Sequence, residues 1–73
     1  MDKLNETLID IFRIDKEYIT DELDIRETKH WDSLTHMRFI FAIEEAYGIE
    51  LDQDEIVKMA KVSDIKAILS ARQ

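Results

Sequence analysis

The chain has 73 residues with a single Gly, no Pro and no Cys, and its formal net charge is -7. This size leaves room for one small core and one domain over residues 1–73, while the missing cysteines exclude a disulfide framework, a thiolate zinc site and a thiol nucleophile. The scarcity of Gly and Pro disfavours turn-rich all-β folds, and the acidic balance disfavours nucleic acids and anionic membranes as partners.

The first predicted element is an amphipathic helix over residues 2–13. Its apolar residues recur at helical spacing and would form one buried face; they are Leu4, Leu8, Ile11 and Phe12. The period then breaks, and residues 14–31 are predicted to form a loop that contains one short helical turn opening at Thr20. A loop of this length is uncommon in a compact domain, so we expect scattered apolar side chains to anchor it to the core. These are Ile14, Ile19, Leu23 and Ile25.

The central helix has both of its ends marked in the sequence. Asp32 is a favourable N-cap residue, and Gly48 can adopt the left-handed conformation that ends helices. Residues 33–47 are therefore predicted to be helical.

A short helix over residues 54–60 and a final helix capped by Ser63 complete the predicted elements. The final helix is expected to bury Ile65, Ile68 and Leu69. The sequence thus predicts an all-α fold, a small bundle of three main helices and one short helix, with a long loop between the first two.

The central helix carries two apolar faces. One suits the core; it contains Phe39, Ile40, Ile43 and Tyr47. The other, which we name the apolar strip, consists of Leu34, Met37 and Phe41. Either the first and last helices cover this strip, or it is exposed and docks a partner with an apolar and basic surface. The charges favour docking, because residues 32–55 hold seven acidic residues and one basic residue, whereas the other 49 hold ten and nine.

Ser33 lies in the first turn of the central helix, beside the apolar strip. A helix N-terminus favours an attached phosphate through its dipole and its free N–H groups, so we interpret Ser33 as a modification site. A hydrolase triad with Asp32 and His36 is disfavoured, because adjacent Asp and Ser side chains leave a helix in different directions and no Gly-rich turn supplies an oxyanion hole. We therefore interpret His36 as a core-side residue and predict neither a catalytic site nor a metal site.

Two segments resemble the phosphopantetheine-attachment region of acyl carrier proteins and peptidyl carrier proteins. They are WDSLTHM at residues 31–37 and IEEAYGIEL at residues 43–51. The resemblance implies a carrier that is not an enzyme, with a 4′-phosphopantetheine arm transferred from coenzyme A to Ser33 and an acyl or aminoacyl group held on the arm as a thioester.

The implied partners are a phosphopantetheinyl transferase, an acyl- or aminoacyl-loading enzyme and a downstream synthase or transferase. We expect these partners to recognise the exposed side of the central helix. The candidate recognition residues are Asp32, Leu34, Met37, Arg38, Phe41, Glu44 and Glu45.

The pathway is suggested by departures from carriers of fatty-acid synthesis. Those carriers generally have acidic residues where this sequence has Thr35 and Arg38, and Leu-Gly where it has Lys29 and His30. The chain is more similar to discrete carriers of polyketide, nonribosomal peptide or surface-saccharide clusters.

The sequence has no signal peptide and no membrane-spanning run, so we expect a cytoplasmic protein without membrane insertion. We also expect the protein to be a monomer. The alternative hypothesis is an acidic helical adaptor that docks partners without any modification.

Overall fold

The computed structural model of the chain describes residues 3–72. It contains four α-helices, α1 (Lys3–Phe12), α2 (Ser33–Tyr47), α3 (Gln53–Lys58) and α4 (Val62–Ala71). Two 3-10 turns, at Lys16–Tyr18 and Ile25–Glu27, lie between α1 and α2. Because residues 3–72 include no strand and α3 is the one short helix among the four, the predicted all-α fold is confirmed. None of the helices in this part of the chain is long and apolar enough to cross a membrane.

The core lies where the apolar faces of α1, α2 and α4 meet. At its centre the rings of Phe12 and Phe39 pack with their centroids 5.4 Å apart, an arrangement favourable for aromatic pairs. The α-helices contribute seven of the other buried side chains, and an eighth, Met59, lies just beyond α3; the seven are Leu4, Leu8, Ile40, Ile43, Val62, Ile65 and Leu69. The predicted inward faces of the first, central and last helices are therefore confirmed.

The two ends of α2 are set by local chemistry, and its predicted bounds are confirmed. The Asp32 side chain accepts a hydrogen bond of 2.7 Å from the backbone N–H of Thr35, as an N-cap residue does. Gly48 is left-handed, with φ 65° and ψ 40°, and its N–H donates to the carbonyl of Glu44. A side chain at Gly48 would be strained by that positive φ.

Residues 14–31 are held against the core as expected, but their helical turns are elsewhere. Ile25 is fully buried, and Ile14, Ile19 and Leu23 are partly buried against the core. Thr20 opens a single hydrogen-bonded turn, in which Leu23 N–H donates to its carbonyl over 3.1 Å. The two 3-10 turns lie on either side of it, so a turn does open at Thr20 as predicted, but it is a single hydrogen-bonded turn and not helical.

The predicted start of α3 is wrong because a capping box was overlooked. Asp52 and Glu55 each accept a hydrogen bond from the other's backbone N–H, at 2.9 and 3.0 Å. This reciprocal pair begins the helix at Gln53. The helix ends at Lys58, so that Met59 and Ala60 are buried beyond it rather than within it.

The predicted N-cap of α4 is also wrong. The cap is Lys61, whose side chain makes no capping hydrogen bond, and Ser63 lies inside the helix. The reason is a tertiary one: the N–H of Val62 donates to the carbonyl of Leu23 at 2.8 Å, and that of Ser63 to Asp21 at 3.0 Å. The loop thus supplies the acceptors that a capping side chain would otherwise provide.

Candidate functional site

Ser33 is the first residue of α2, and its side chain is exposed. The preceding Asp32 has an extended backbone, with φ -154° and ψ 179°. The chain therefore turns from the loop into the helix directly in front of Ser33. This arrangement presents a primary hydroxyl at a helix N-terminus, where the helix dipole favours a negatively charged group.

Asp32 fixes this corner of the chain. Hydrogen bonds from the backbone N–H of Thr35, and secondarily from its side chain, lower the pKa of the Asp32 carboxyl. Asp32 is therefore ionised at neutral pH next to the Ser33 hydroxyl. Its predicted capping role is confirmed, while its role in partner recognition stays a prediction.

A shallow groove of about 260 Å³ lies beside Ser33, between the second 3-10 turn, α2 and α3. Its lining is mostly apolar; it consists of Arg26, Trp31, Ser33, His36, Met37, Ile56 and Val57. Val57 is 65% exposed, so the groove opens to solvent along α3. The groove thus offers an apolar surface that begins at the candidate modification site.

His36 joins three parts of this groove. The indole N–H of Trp31 donates to its Nδ1 over 3.1 Å, and its Nε2 lies 3.0 Å from the carbonyl oxygen of Ile56. The Trp31 and His36 rings meet edge to face, with centroids 6.0 Å apart. His36 faces inward, as predicted, but it is half-buried at the contact between α2 and α3.

The apolar strip on α2 is exposed at two of its three positions. Leu34 is 71% exposed and Phe41 61%, so the interpretation that α1 and α4 cover these side chains is wrong. Met37, by contrast, is partly buried against the core and lines the groove. Its assignment to an exposed strip is therefore wrong, because its position on α2 turns it toward α3.

The charged residues beside the apolar strip, Arg38, Glu44 and Glu45, also differ in exposure. Arg38 and Glu45 are exposed, as a recognition surface requires. Glu44 is half-buried, and its Oε2 accepts the N–H of Leu51 over 2.8 Å. That carboxylate joins the end of α2 to the segment before α3. The recognition roles of these three residues stay predictions.

Three groove residues were missed by the sequence reasoning. Val57 had a usable signal, because Ile56 and Val57 are adjacent on a short helix and only one of them can face the core. Ile56 is half-buried and Val57 is exposed. Arg26 and Trp31 reach the groove through the path of the loop; Trp31 belongs to the WDSLTHM segment, but no sequence pattern indicates that either side chain lines a groove.

Comparison with known proteins identifies relatives along nearly the whole chain. No protein-family model matches. An acyl carrier protein of Nitratidesulfovibrio vulgaris is 32% identical over 72 residues, covering 99% of this chain and 95% of the relative. One from Rickettsia canadensis is 33% identical over 76 residues, covering 99% and 88%. One from Lactobacillus acidophilus is 28% identical over 71 residues, covering 97% and 89%.

A solved structure shows the same fold. It is that of a Mycobacterium tuberculosis protein assigned to the acyl carrier proteins, with a TM-score of 0.83 and 21% sequence identity. The match covers 96% of this chain and 93% of that one. Given relatives above 30% identity over nearly their full length and this shared small helical fold, the chain belongs to the acyl carrier protein family, whose members are carriers rather than enzymes.

Proposed function

We propose that this chain carries an acyl or aminoacyl group as a thioester on a 4′-phosphopantetheine arm attached to Ser33. The family implies the prosthetic group, and the attachment residue is our assignment. One observation carries it: Ser33 is an exposed hydroxyl at the first position of α2, within the WDSLTHM segment. The chain contains no cysteine, so the arm would bring the thiol that forms the thioester.

The residues around Ser33 fit a covalent phosphodiester. In the attachment step, the Ser33 oxygen bonds to the phosphorus of the pantetheine phosphate of coenzyme A, loses its proton, and displaces adenosine bisphosphate. The N-terminus of α2 favours the phosphate charge that remains on the serine. The nearest carboxylate, that of Asp32, is held by Thr35. The groove beside Ser33 then offers mostly apolar surface to whatever extends from the site.

Partner recognition is assigned to the outer side of α2. Leu34 and Phe41 expose apolar surface there, and acidic residues dominate residues 32–55. A partner with an apolar and basic surface complements both features. We assign this surface to the phosphopantetheinyl transferase, the loading enzyme and the downstream synthase or transferase, which act on a monomeric carrier domain in the cytoplasm.

The pathway is proposed to be a specialised one that assembles a polyketide, a nonribosomal peptide or a modified saccharide. The support is in the recognition surface, where Arg38 is exposed at a position that is generally acidic in carriers of fatty-acid synthesis. Thr35 and the Lys29-His30 pair depart from those carriers as well. A basic residue on an acidic surface changes which partners associate quickly.

Intact mass spectrometry after incubation with coenzyme A and a phosphopantetheinyl transferase tests the attachment. The wild-type chain is expected to gain the mass of one phosphopantetheine group, and Ser33→Ala none. Ser63→Ala is a matched control, because Ser63 is also exposed in the first turn of a helix, and it should react like the wild type. Uptake by Ser33→Ala would contradict the assignment, as would loss of uptake in Ser63→Ala.

The second candidate function is an unmodified acidic adaptor. The exposure of Leu34 and Phe41 favours it as much as it favours a carrier, because both functions dock partners on α2. The same mass measurement separates them. A wild-type chain that gains no mass, but binds partners through Phe41, would favour the adaptor.

A further inference from the structure

The bonds of His36 determine which of its nitrogens carries the proton. The indole N–H of Trp31 is a donor only, so Nδ1 of His36, 3.1 Å away, is the acceptor. A neutral imidazole has one acceptor and one donor nitrogen, which leaves the proton on Nε2. That nitrogen lies 3.0 Å from the Ile56 carbonyl oxygen, which is an acceptor only. Both partners of His36 therefore select the neutral ring with its proton on Nε2.

The same two bonds connect three elements near Ser33. Trp31 lies two residues before Ser33, His36 lies almost one turn after it, and Ile56 belongs to α3. Among the helices, α3 contacts α4 more than α2. The hydrogen bonds of His36 thus connect the start of α2 with both the incoming loop and α3.

We propose that His36 is a positioning residue for Ser33: as a neutral ring it holds Trp31 and α3 in place around the first turn of α2, and its protonation releases Trp31. The inference rests on the proposed function of Ser33. A histidine that gains a second proton becomes a donor at both nitrogens. Its Nδ1 would then face the Trp31 N–H with a second donor, and that hydrogen bond would be lost.

The charged and titratable groups around His36 have partners of their own or lie outside the contact. From the second 3-10 turn, Arg26 lines the same groove, and its Nε donates to Asp24 over 3.2 Å. At the start of α2, the carboxylate of the N-cap residue Asp32 accepts from Thr35. From α3, the lining residues are Ile56 and Val57, which have no titratable side chains.

Trp31 is the one tryptophan of the chain, so its fluorescence reports on this contact directly. The emission of the wild type is expected to change when the pH is lowered and the His36 ring takes up a proton. His36→Gln should lack the change, because an amide offers a donor and an acceptor but does not titrate. His30→Gln is the control for the neighbouring exposed histidine and should keep it. A change retained in His36→Gln, or lost in His30→Gln, would overturn the proposal.

The positioning role is tested by the rate of Ser33 modification at pH 7.5. His36→Phe keeps a ring but removes both hydrogen bonds, and we expect kcat/KM of the transferase to fall by about tenfold through misplacement of Ser33. His36→Gln should restore most of the rate, and His30→Gln should not alter it. An unchanged rate in His36→Phe would overturn the proposal.

A second variant and the mass measurement on the wild type separate misfolding and failure of the proposed function from failure of this proposal. If circular dichroism shows that His36→Phe does not fold, Trp31→Phe takes its place, since it removes the indole donor and keeps an aromatic ring. Failure of the proposed function has a different signature, because the wild type itself would then gain no mass. In that case the fluorescence titration still decides whether neutral His36 holds Trp31.

Discussion

The inner and outer sides of α2 are built from similar apolar residues but have opposite surroundings. Phe39, Ile40 and Ile43 are fully buried on the inner side, whereas Leu34 and Phe41 remain 71% and 61% exposed on the outer side. Hydrophobicity does not distinguish Phe39 from Phe41; their positions around the helix do. Because a largely exposed phenylalanine contributes little to stability, the outer side is the surface that we propose for binding.

The largest expected effect comes from truncating one residue on each side. Ile43→Ala should lower the free energy of unfolding by about 2–5 kcal/mol, because it leaves a cavity in the core, and so small a domain has little stability to lose. Phe41→Ala should change stability far less. Denaturant unfolding followed by circular dichroism measures both.

Met37→Ala sharpens the same comparison, because Met37 is half-buried at the edge between the two sides. Its loss of stability should fall between those of the other two variants. Equal destabilisation by Ile43→Ala and Phe41→Ala would show that the outer side is part of the core, and partner docking through the apolar strip would lose its support.

A smaller effect is expected at Arg38, the exposed basic residue on the outer side of α2. Arg38→Glu should raise the association rate with a fatty-acid-type partner and lower it with the loading enzyme of this chain's own pathway, because a charge at the rim of an interface mainly sets on-rate and specificity. Stopped-flow measurements at two salt concentrations give both rates. All rates should fall once the Debye length drops below about 10 Å.

Equal shifts of the two association rates in Arg38→Glu would show that Arg38 does not distinguish these partners. The proposed specialised pathway would then lose its main support on the recognition surface. The attachment of the arm to Ser33 would be unaffected, since it depends on different residues.

The smallest expected effect is on the pH dependence of stability, and it compares a carboxylate that binds another part of the chain, that of Glu55, with an exposed carboxylate on the outer side of α2. A hydrogen bond from Arg72, and another from the backbone of Asp52, lower the pKa of Glu55 from 4.5 to about 2. A depressed pKa means that the ionised form stabilises the folded state above about pH 4.5 and that this contribution disappears as the pH falls toward 2.

The wild type should therefore be more stable than Glu55→Gln at neutral pH, and the difference should vanish in acid. Urea unfolding over this pH range measures it. Glu45→Gln is the matched control on the outer side of α2, where the carboxylate is exposed, and it should show no such difference. A pH-independent difference for Glu55→Gln would contradict the role assigned to the Arg72 contact.

The parts of the fold that could be predicted are those set by neighbouring residues. Asp32 and Gly48 fix the two ends of α2 by contacts within one turn, so the bounds of that helix followed from the sequence. The start of α4 could not be predicted, because its first N–H groups bind the carbonyls of Asp21 and Leu23, some 40 residues away. Local patterns do not contain such distant acceptors.

The same distinction between neighbouring and distant contacts applies to the candidate site. Ser33 could be placed at the start of α2 because its position depends on the Asp32 cap next to it. The groove could not, because Trp31 and Ile56 meet at His36 only after the loop and α3 have packed. Met37 was misplaced for the same reason, since helical spacing assigns it to the apolar strip, whereas in the folded chain it is partly buried against the core and lines the groove.

Peptide mapping of the modified chain tests the central claim most directly. After reaction with coenzyme A and a phosphopantetheinyl transferase, trypsin should cleave after Lys29 and after Arg38. It should release residues 30–38, which contain one serine. Fragmentation of this peptide should locate the mass of one phosphopantetheine group between Asp32 and Leu34. The same mass on a peptide that contains Ser63 or Ser70, or on no peptide, would contradict Ser33 as the residue that carries the arm.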